Sequence, residues 1–419
     1  MNAQSAGRII TAIDIGTTKI CVLVCTVNGQ GKLEVLGVGQ HPSYGLKKGV
    51  VVSIAMTVQS IQLAVKDAEL SSGIPIKSAI VGISGSHIQS FNSAGVVPIK
   101  HRDVGQDDID QVIKAARAVP ISEDREILHV IPQYFKVDGG DCVEDSFGMH
   151  GVRLEAQVHI VTTSVSSAQN IIKACELAGV MVSDIILEQL ASAEAVLSAS
   201  ERELGVGILD IGGGTADLAI YRGGKIMHSK VIPVAGSHFT NDLAIGLGLP
   251  VHVAEKLKRQ AGFVAESAFP HDEGPTLKIS SPEDHVECEI ETMKLYEILQ
   301  PRAAEMFEFV MDEMVENRLR QILGAGLVLT GGGALLRGMK DCGTRELGLP
   351  VRIGKPHHFK DSPVQAEVPD SIKSPVYSTA YGIVLYAMRG GDNPLSVGRD
   401  GSMFNAVFKK MKSWLYDFL

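Results

Sequence analysis

The chain is short of positive charge, of aromatic rings, of paired cysteines and of long uncharged apolar runs. Its formal net charge is −9 over 419 residues, which argues against a nucleic-acid binder whose affinity comes from a basic face. The six cysteines, at 21, 25, 142, 175, 288 and 342, show no paired spacing like that of a zinc site, so reduced cytosolic thiols are expected. No uncharged apolar stretch is long enough to span a bilayer, and the residues from Met1 to Arg8 lack the apolar core of a signal peptide. A cytoplasmic protein is therefore expected. Aromatic residues make up only 5% of the chain while glycine occurs 44 times. Small and branched aliphatic residues carry the apolar content, as suits an α/β protein, and the length accommodates two or more domains with substantial cores.

What is present is one short pattern used repeatedly. Gly207 to Ala219 reads as two strands joined by a glycine turn, with Asp210 and Asp217 flanking Gly212, Gly213, Gly214 and Thr215. Bare backbone lets amide N–H groups approach an anion without a Cβ in the way, while Thr215 adds a hydroxyl and Asp210 a carboxylate. Phosphates and a metal ion suit such a loop; a lone glycine triplet is as often an ordinary turn. The same grammar appears at Thr11 to Val22, where Asp14 precedes Gly16, Thr17, Thr18 and Lys19. A third cluster, Gly331, Gly332 and Gly333, follows the apolar run from Leu327 and is read as opening a helix. Three such loops at these separations predict a duplicated α/β fold with a nucleotide between its halves.

The order of these loops resembles the actin, Hsp70 and sugar-kinase superfamily and, within it, the FtsA family of bacterial cell-division proteins; the resemblance covers nearly the whole chain. It implies an actin-like (RNase H-like) ATPase fold of two lobes around a nucleotide cleft, with ATP and Mg²⁺ as cofactors. By that resemblance Asp14 and Asp210 meet the Mg²⁺ through water, Gly16, Thr17, Thr18 and Lys19 line one phosphate face, and Gly212 to Thr215 line the other. Gly331, Gly332 and Gly333 are then placed with Glu255 and Lys258 around the adenosine. The last two sit one turn apart on a helix, where a plain i,i+3 salt bridge is the alternative. Glu188 falls where relatives carry a glutamate or glutamine near the attacking water; a carboxylate at a helix start is also a common dipole partner.

The resemblance divides the chain into subdomain 1A at 1–84, an FtsA-type 1C insert at 85–162, and a return to 1A with the first connecting helix at 163–203. Subdomain 2A follows at 204–236 and 301–368, enclosing 2B at 237–300, and a second connecting helix occupies 369–388. Local patterns agree with helices at Ser53 to Leu70, near Asp107 to Val119 and at Ala168 to Leu177, and with strands at Ser78 to Ser84 and Ile127 to Val137. A long helix is expected to begin at Ile298. The chain departs from the family at Asp145-Ser146, where Asn-Pro is usual, and at Gln189, where Pro is frequent.

Residues 389–402 are rich in breakers and read as a flexible linker. Beyond it Phe404, Val407, Phe408, Met411, Trp414, Leu415 and Phe418 form a stripe at helical spacing, with Lys409, Lys410 and Lys412 away from its centre. Docking on the protein's own core is one reading. An in-plane membrane helix over 403–419 also accounts for the preceding linker and for basic residues in an acidic protein. The resemblance then implies a protein that polymerises, ties filaments of the tubulin-like FtsZ to the cytoplasmic face of the inner membrane at the septum, and recruits later division proteins through 1C. Its nucleotide would control assembly. Lys294 and Arg302 lie near the surface that receives the FtsZ C-terminal peptide in the family, although Arg302 also has Glu305 within i,i+3 reach. The alternatives are a sugar kinase-type phosphotransferase, which needs a carboxylate base at a substrate hydroxyl, and a pilus-assembly actin-like adaptor. No sugar-binding signature separates the first loop from Leu187, and no nucleic-acid partner is expected.

Overall fold

A computed structural model of the chain describes residues 7–29, 31–281, 286–359 and 364–389. Two of its sheets repeat one pattern. In the first, β1 (Arg8–Ile15), β2 (Lys19–Val27) and β3 (Lys32–Pro42) form an antiparallel meander. The short pair β4 (Leu46–Lys47) and β5 (Val50–Val51) leads into α1 (Ile54–Ser72), after which β6 (Ser78–Ile83) lies parallel to β1. Ser53 caps the start of α1 and Gly73, at φ 70°, closes its end. Its inner face buries Ile61, Ala64, Val65 and Ala68, and Gly39 of β3 is bare where a Cβ would overlap the Ala64 and Ala68 backbone.

The chain then makes β7 (Gln89–Pro98), α2 (Gln106–Arg117), β8 (Arg125–Val137) and β9 (Arg153–Ser164), with strand order β7-β9-β8. Of this stretch, Phe91–Pro120 and His129–Val161 form a compact unit of their own, whereas Ile121–Leu128 belongs to the main body. Arg125 explains the exception: its guanidinium donates to the carbonyls of His87 at 2.9 Å and Thr162 at 3.0 Å. Inside the small unit, α2 turns Val112, Ile113 and Ala116 inward, and Ser93 donates to the Ala116 carbonyl at 2.8 Å. At the departure from the family pattern, Asp145 accepts from the Phe147 amide at 2.9 Å, an Asx turn that closes the bend without proline, while Ser146 is buried.

The main body resumes with α3 (Val165–Leu177) and β10 (Met181–Leu187), parallel to β6, then α4 (Glu188–Val196) and α5 (Ala199–Leu204). The second sheet opens with β11 (Val206–Ile211), β12 (Ala216–Arg222) and β13 (Lys225–Ile232), again an antiparallel meander. After α6 (Gly236–Leu247) and α7 (Val251–Ala261) come the hairpin β14 (Thr276–Ser281) and β15 (Val286–Glu291) and the long α8 (Met293–Glu316). β16 (Leu327–Thr330), parallel to β11, is followed by α9 (Met339–Leu347), β17 (Val351–Ile353), β18 (Gln365–Ala366) and α10 (Ser378–Arg389). The first sheet runs β10-β6-β1-β2-β3 with β18 at its edge, and the second runs β17-β16-β11-β12-β13. Strand for strand, the two orders match.

Two expectations are corrected. The long helix starts at Met293, ahead of Ile298, and carries Pro301 inside it; proline favours a first turn, but burial of Leu295 and Leu299 extends this helix upstream. The third glycine cluster opens a 3₁₀ turn at Gly332–Leu335 before any α-helix, because Gly331 stands at φ 80°. Asp184 to Leu187 lie in β10, and α4 starts at Glu188, the helix-start position read for that residue. Gln189 forms that corner in place of proline, fully buried and with neither amide atom hydrogen-bonded. The linker from residue 390 and the whole of 403–419 lie outside the described residues.

The helices α4 and α10 pack backbone to backbone. A Cβ on Gly382 would overlap the Ala191 carbonyl. Gly382→Ala should therefore separate two buried helices and lower stability by about 1–3 kcal/mol, read as a fall in the denaturation midpoint; an unchanged midpoint would contradict this packing.

Candidate functional site

The duplication places two identical turns in one cleft. Asp14 is the penultimate residue of β1 and Asp210 that of β11. In the first turn the Gly16 amide donates to the Lys19 carbonyl at 3.0 Å; in the second the Gly212 amide donates to the Thr215 carbonyl at 2.9 Å. The turns meet at their tips. A Cβ on Gly213 would stand 2.6 Å from Thr18 Oγ1, and one on Gly214 would stand 2.5 Å from Thr17 Oγ1. Both positions need glycine for this close approach, whatever their φ. The short β4–β5 turn joins the contact: Lys48 adopts φ 50°, and the Gly49 amide donates to Thr17 Oγ1 at 3.1 Å.

Behind the tips sit four carboxylates and one ammonium. Asp14, Asp210 and Asp217 are buried and Glu188 is half-buried, at the first position of α4. Lys19 Nζ lies 2.8 Å from Asp14 Oδ2. Burial alone would lower the Lys19 ammonium, but Asp14, with help from Cys21 and Asp210, raises it. Burial, then repulsion from Asp14, Asp217 and Asp210, pushes Glu188 well above the usual carboxylate range. Burial likewise raises Asp210, assisted by Asp14 and opposed by hydroxyl donors. Asp217 is raised to about 7 by burial and by Asp210 and Asp14, and its Oδ1 is buried without a hydrogen bond. The cleft thus holds more negative charge than Lys19 offsets.

These residues fit a cation and an anionic ligand together: uncompensated carboxylates for the first, bare glycine amides and Lys19 for the second. Among the described residues no group of three or more His, Cys, Asp or Glu side chains is arranged to hold a metal ion directly.

Around the core the remaining site residues are distributed unevenly. Gly331 lies against Asp210, since a Cβ there would overlap its Oδ1; Gly333 packs on Ile211, and Gly332 faces open space. On α7, Lys258 Nζ lies 2.6 Å from Glu255 Oε2, so the i,i+3 salt bridge is formed. Lys258 Nζ also donates to the Gly236 carbonyl at 2.9 Å, and the Gly236 amide donates to the Gly212 carbonyl at 3.0 Å. The pair therefore adjoins the second glycine loop. Lys294 and Arg302 are both on α8, where Lys294 is exposed. Arg302 is already paired, to Asp242 of α6 through Nε at 2.6 Å and to Glu305. The membrane residues from Phe404 to Phe418 lie outside the described residues.

Sequence reasoning gave Asp217 no part in the site, although its place directly opposite Asp210 in the hairpin was a usable signal. It also passed over Ser192 and Thr379, which reach Asp210 from α4 and α10. No local pattern marks a serine or threonine inside a helix as a partner of a distant carboxylate.

Two meanders of matching strand order, each ending a first strand in an Asp-x-Gly turn that faces the other, define an actin-like α/β protein. Solved structures share the architecture. A PilM-PilN type IV pilus biogenesis complex matches with TM-score 0.65 at 17% identity, over 90% of this chain and 98% of that one. MreB5 of Spiroplasma citri, in a structure bound to ADP, matches with TM-score 0.56 at 17% identity, over 92% and 99%. The chain belongs to the cell division protein FtsA family. The family model for cell division protein FtsA matches residues 207–382, and the model for the SHS2 domain inserted in FtsA matches residues 85–162. Cell division protein FtsA of Pseudomonas aeruginosa is 42% identical over 99% of both chains, and that of Escherichia coli K12 is 35% identical over 97% of both. That membership sets aside the sugar-kinase and pilus-adaptor alternatives.

The raised Asp217 gives a pH signature. An acid whose pKa is higher folded than unfolded binds more protons in the folded state, so its cost is absent near pH 4 and complete above about pH 7. Asp217→Asn should raise the melting temperature of the ligand-free protein at pH 8, by about 1 kcal/mol or roughly 2–4 °C, and much less at pH 5. An equal change at both pH values would contradict the buried, uncompensated carboxylate.

Proposed function

We propose that this FtsA-family chain binds ATP with Mg²⁺ between its two glycine hairpins and uses the nucleotide to control assembly into actin-like filaments. The observation that carries the reading is the tip-to-tip placement of Thr17 and Thr18 against Gly213 and Gly214, backed by carboxylates with charge to spare. Lys19 and the amides of both turns bind phosphate oxygens, Asp14 and Asp210 hold the water shell of the cation, and Gly331 to Gly333 with Glu255 and Lys258 receive the adenosine. Mg²⁺, when bound, neutralises phosphate charge and orients the nucleotide. Burial first, then repulsion from Asp14, Asp217 and Asp210, favours the protonated form of Glu188, and a cation that offset the repulsion would favour its carboxylate. In that state its carboxylate is able to orient a water.

The filament, in this reading, ties FtsZ to the cytoplasmic face of the inner membrane at the septum. Among the described residues no helix is long and apolar enough to cross a membrane, and the stripe from Phe404 to Phe418 has the pattern of a helix lying in the interface. Each nearby lysine adds about 1 kcal/mol on an anionic leaflet, so a single tail binds reversibly and a filament holds by avidity. The FtsZ C-terminal peptide is proposed to meet α8 around Lys294 and Arg302; since Arg302 is already paired to Asp242 and Glu305, acidic groups of the peptide would compete with them. The inserted unit is proposed to meet later division proteins.

Co-sedimentation with anionic vesicles in Mg-ATP tests both halves. Trp414→Glu should release the folded protein almost completely and Lys410→Ala only slightly, while Asp210→Ala should pellet poorly because weakened nucleotide binding costs assembly. If Trp414→Glu pellets like the unmodified chain, the tail docks on protein; if Asp210→Ala does, nucleotide does not govern attachment.

A further inference from the structure

Asp210 is gripped by both connecting helices. Its Oδ2 accepts hydrogen bonds from Ser192 Oγ on α4 and from Thr379 Oγ1 on α10, the latter at 3.0 Å, and the two hydroxyls lie 3.1 Å apart. All three side chains are buried. On its other side, Oδ1 rests against Gly331, where any Cβ would overlap it. The neighbouring residue of α10 is fixed too: Ser378 Oγ lies 2.7 Å from Thr330 Oγ1, at the end of β16. One carboxylate oxygen is therefore committed to the helices while the other stays beside the glycine loops. Asp14, its counterpart in the first lobe, is instead paired with Lys19. The duplicated carboxylates differ in their partners: one is paired with an ammonium and the other is held by two hydroxyls.

We propose that Ser192 and Thr379 are positioning residues for the cation of the nucleotide site: by occupying Oδ2 they hold Asp210 with Oδ1 turned to the cleft. Because one hydroxyl comes from each connecting helix, cation affinity then depends on the setting of α4 against α10. A terminal carboxylate torsion is broad when unheld, and hydrogen bonds that orient a metal-facing carboxylate typically govern about 10–100-fold in metal affinity. Hydroxyls that served only to satisfy a buried carboxylate would affect folding and leave no separate mark on the cation. The proposal rests on the nucleotide reading above.

Calorimetric titration of the full chain with ATP, in Mg²⁺ and again in excess EDTA, separates the possibilities. Thr379→Val keeps the shape and removes the hydroxyl; it should weaken Mg-ATP binding about tenfold and leave metal-free ATP binding unchanged. Thr379→Ser should restore the unmodified affinity, and Ser192→Ala should behave like Thr379→Val. Equal weakening with and without Mg²⁺, no change in either, or Thr379→Ser as impaired as Thr379→Val would each overturn the proposal. Melting temperatures identify a variant that fails to fold, and the isosteric Thr379→Val decides if Ser192→Ala does. An unmodified chain that binds neither form of ATP would overturn the nucleotide reading and this proposal with it, whereas an unmodified chain that binds while the variants match it overturns the proposal alone.

Discussion

Four carboxylates sharing a buried cleft with one lysine is the constraint on which the rest of this structure depends. Folding gains nothing from such a cluster: burial and mutual repulsion raise Glu188, Asp210 and Asp217, and a single Lys19 to Asp14 pair offsets only part of the charge. The arrangement is held in place by β-sheet hydrogen bonding and by apolar packing elsewhere, in a core that includes Leu209, Ile211, Leu218 and Phe239 of the second lobe. A cluster that costs stability and is enforced by the scaffold points to a ligand that supplies the missing positive charge.

The scaffold does this by using one solution twice. Each lobe ends its first strand with an aspartate, turns on glycine with the same amide-to-carbonyl bond, and returns antiparallel. Duplication brings the two turns face to face, so that backbone N–H groups, carboxylates and hydroxyls converge from both lobes. Two helices complete the arrangement: α4 presents Glu188 and Ser192, α10 presents Thr379, and Gly382 allows their backbones to touch. Any change in the angle between those helices would be felt at Asp210. Chemistry and conformation thus share the same few atoms, as the proposed control of assembly by nucleotide requires.

Much of this was legible in the residues. Asp-x-Gly after an apolar run locates both hairpins, the glycines that follow Gly212 leave room for the tip contact of Gly213 and Gly214 with Thr18 and Thr17, and helical spacing of apolar residues between Ser53 and Leu70 locates α1. The misses share a cause. Pro301 marks a helix start in local logic, yet tertiary burial of Leu295 and Leu299 carries α8 upstream of it. Glu255 and Lys258 are read as ligand contacts with a surface pair as the alternative, and spacing alone could not foretell the salt bridge that they form beside Gly236. Ser192 and Thr379 are 187 residues apart, and nothing in either neighbourhood announces their meeting on one carboxylate oxygen. Asp145 shows the converse, since its side chain closes the bend by an Asx turn although serine stands at 146 where the family usually has proline.

The central claim is that a cation-bearing nucleotide supplies the charge this cleft lacks. Its most direct test is the proton balance of binding, obtained by titrating preformed Mg-ATP near pH 7 in buffers of different ionisation enthalpy. With Asp217 raised to about 7 and Glu188 well above the usual carboxylate range, binding should expel roughly one proton or more into the buffer, and the observed enthalpy should follow the buffer. Glu188→Gln should reduce that release. An enthalpy independent of the buffer, in a protein that binds Mg-ATP normally, would mean that the ligand does not neutralise these carboxylates and would contradict the account.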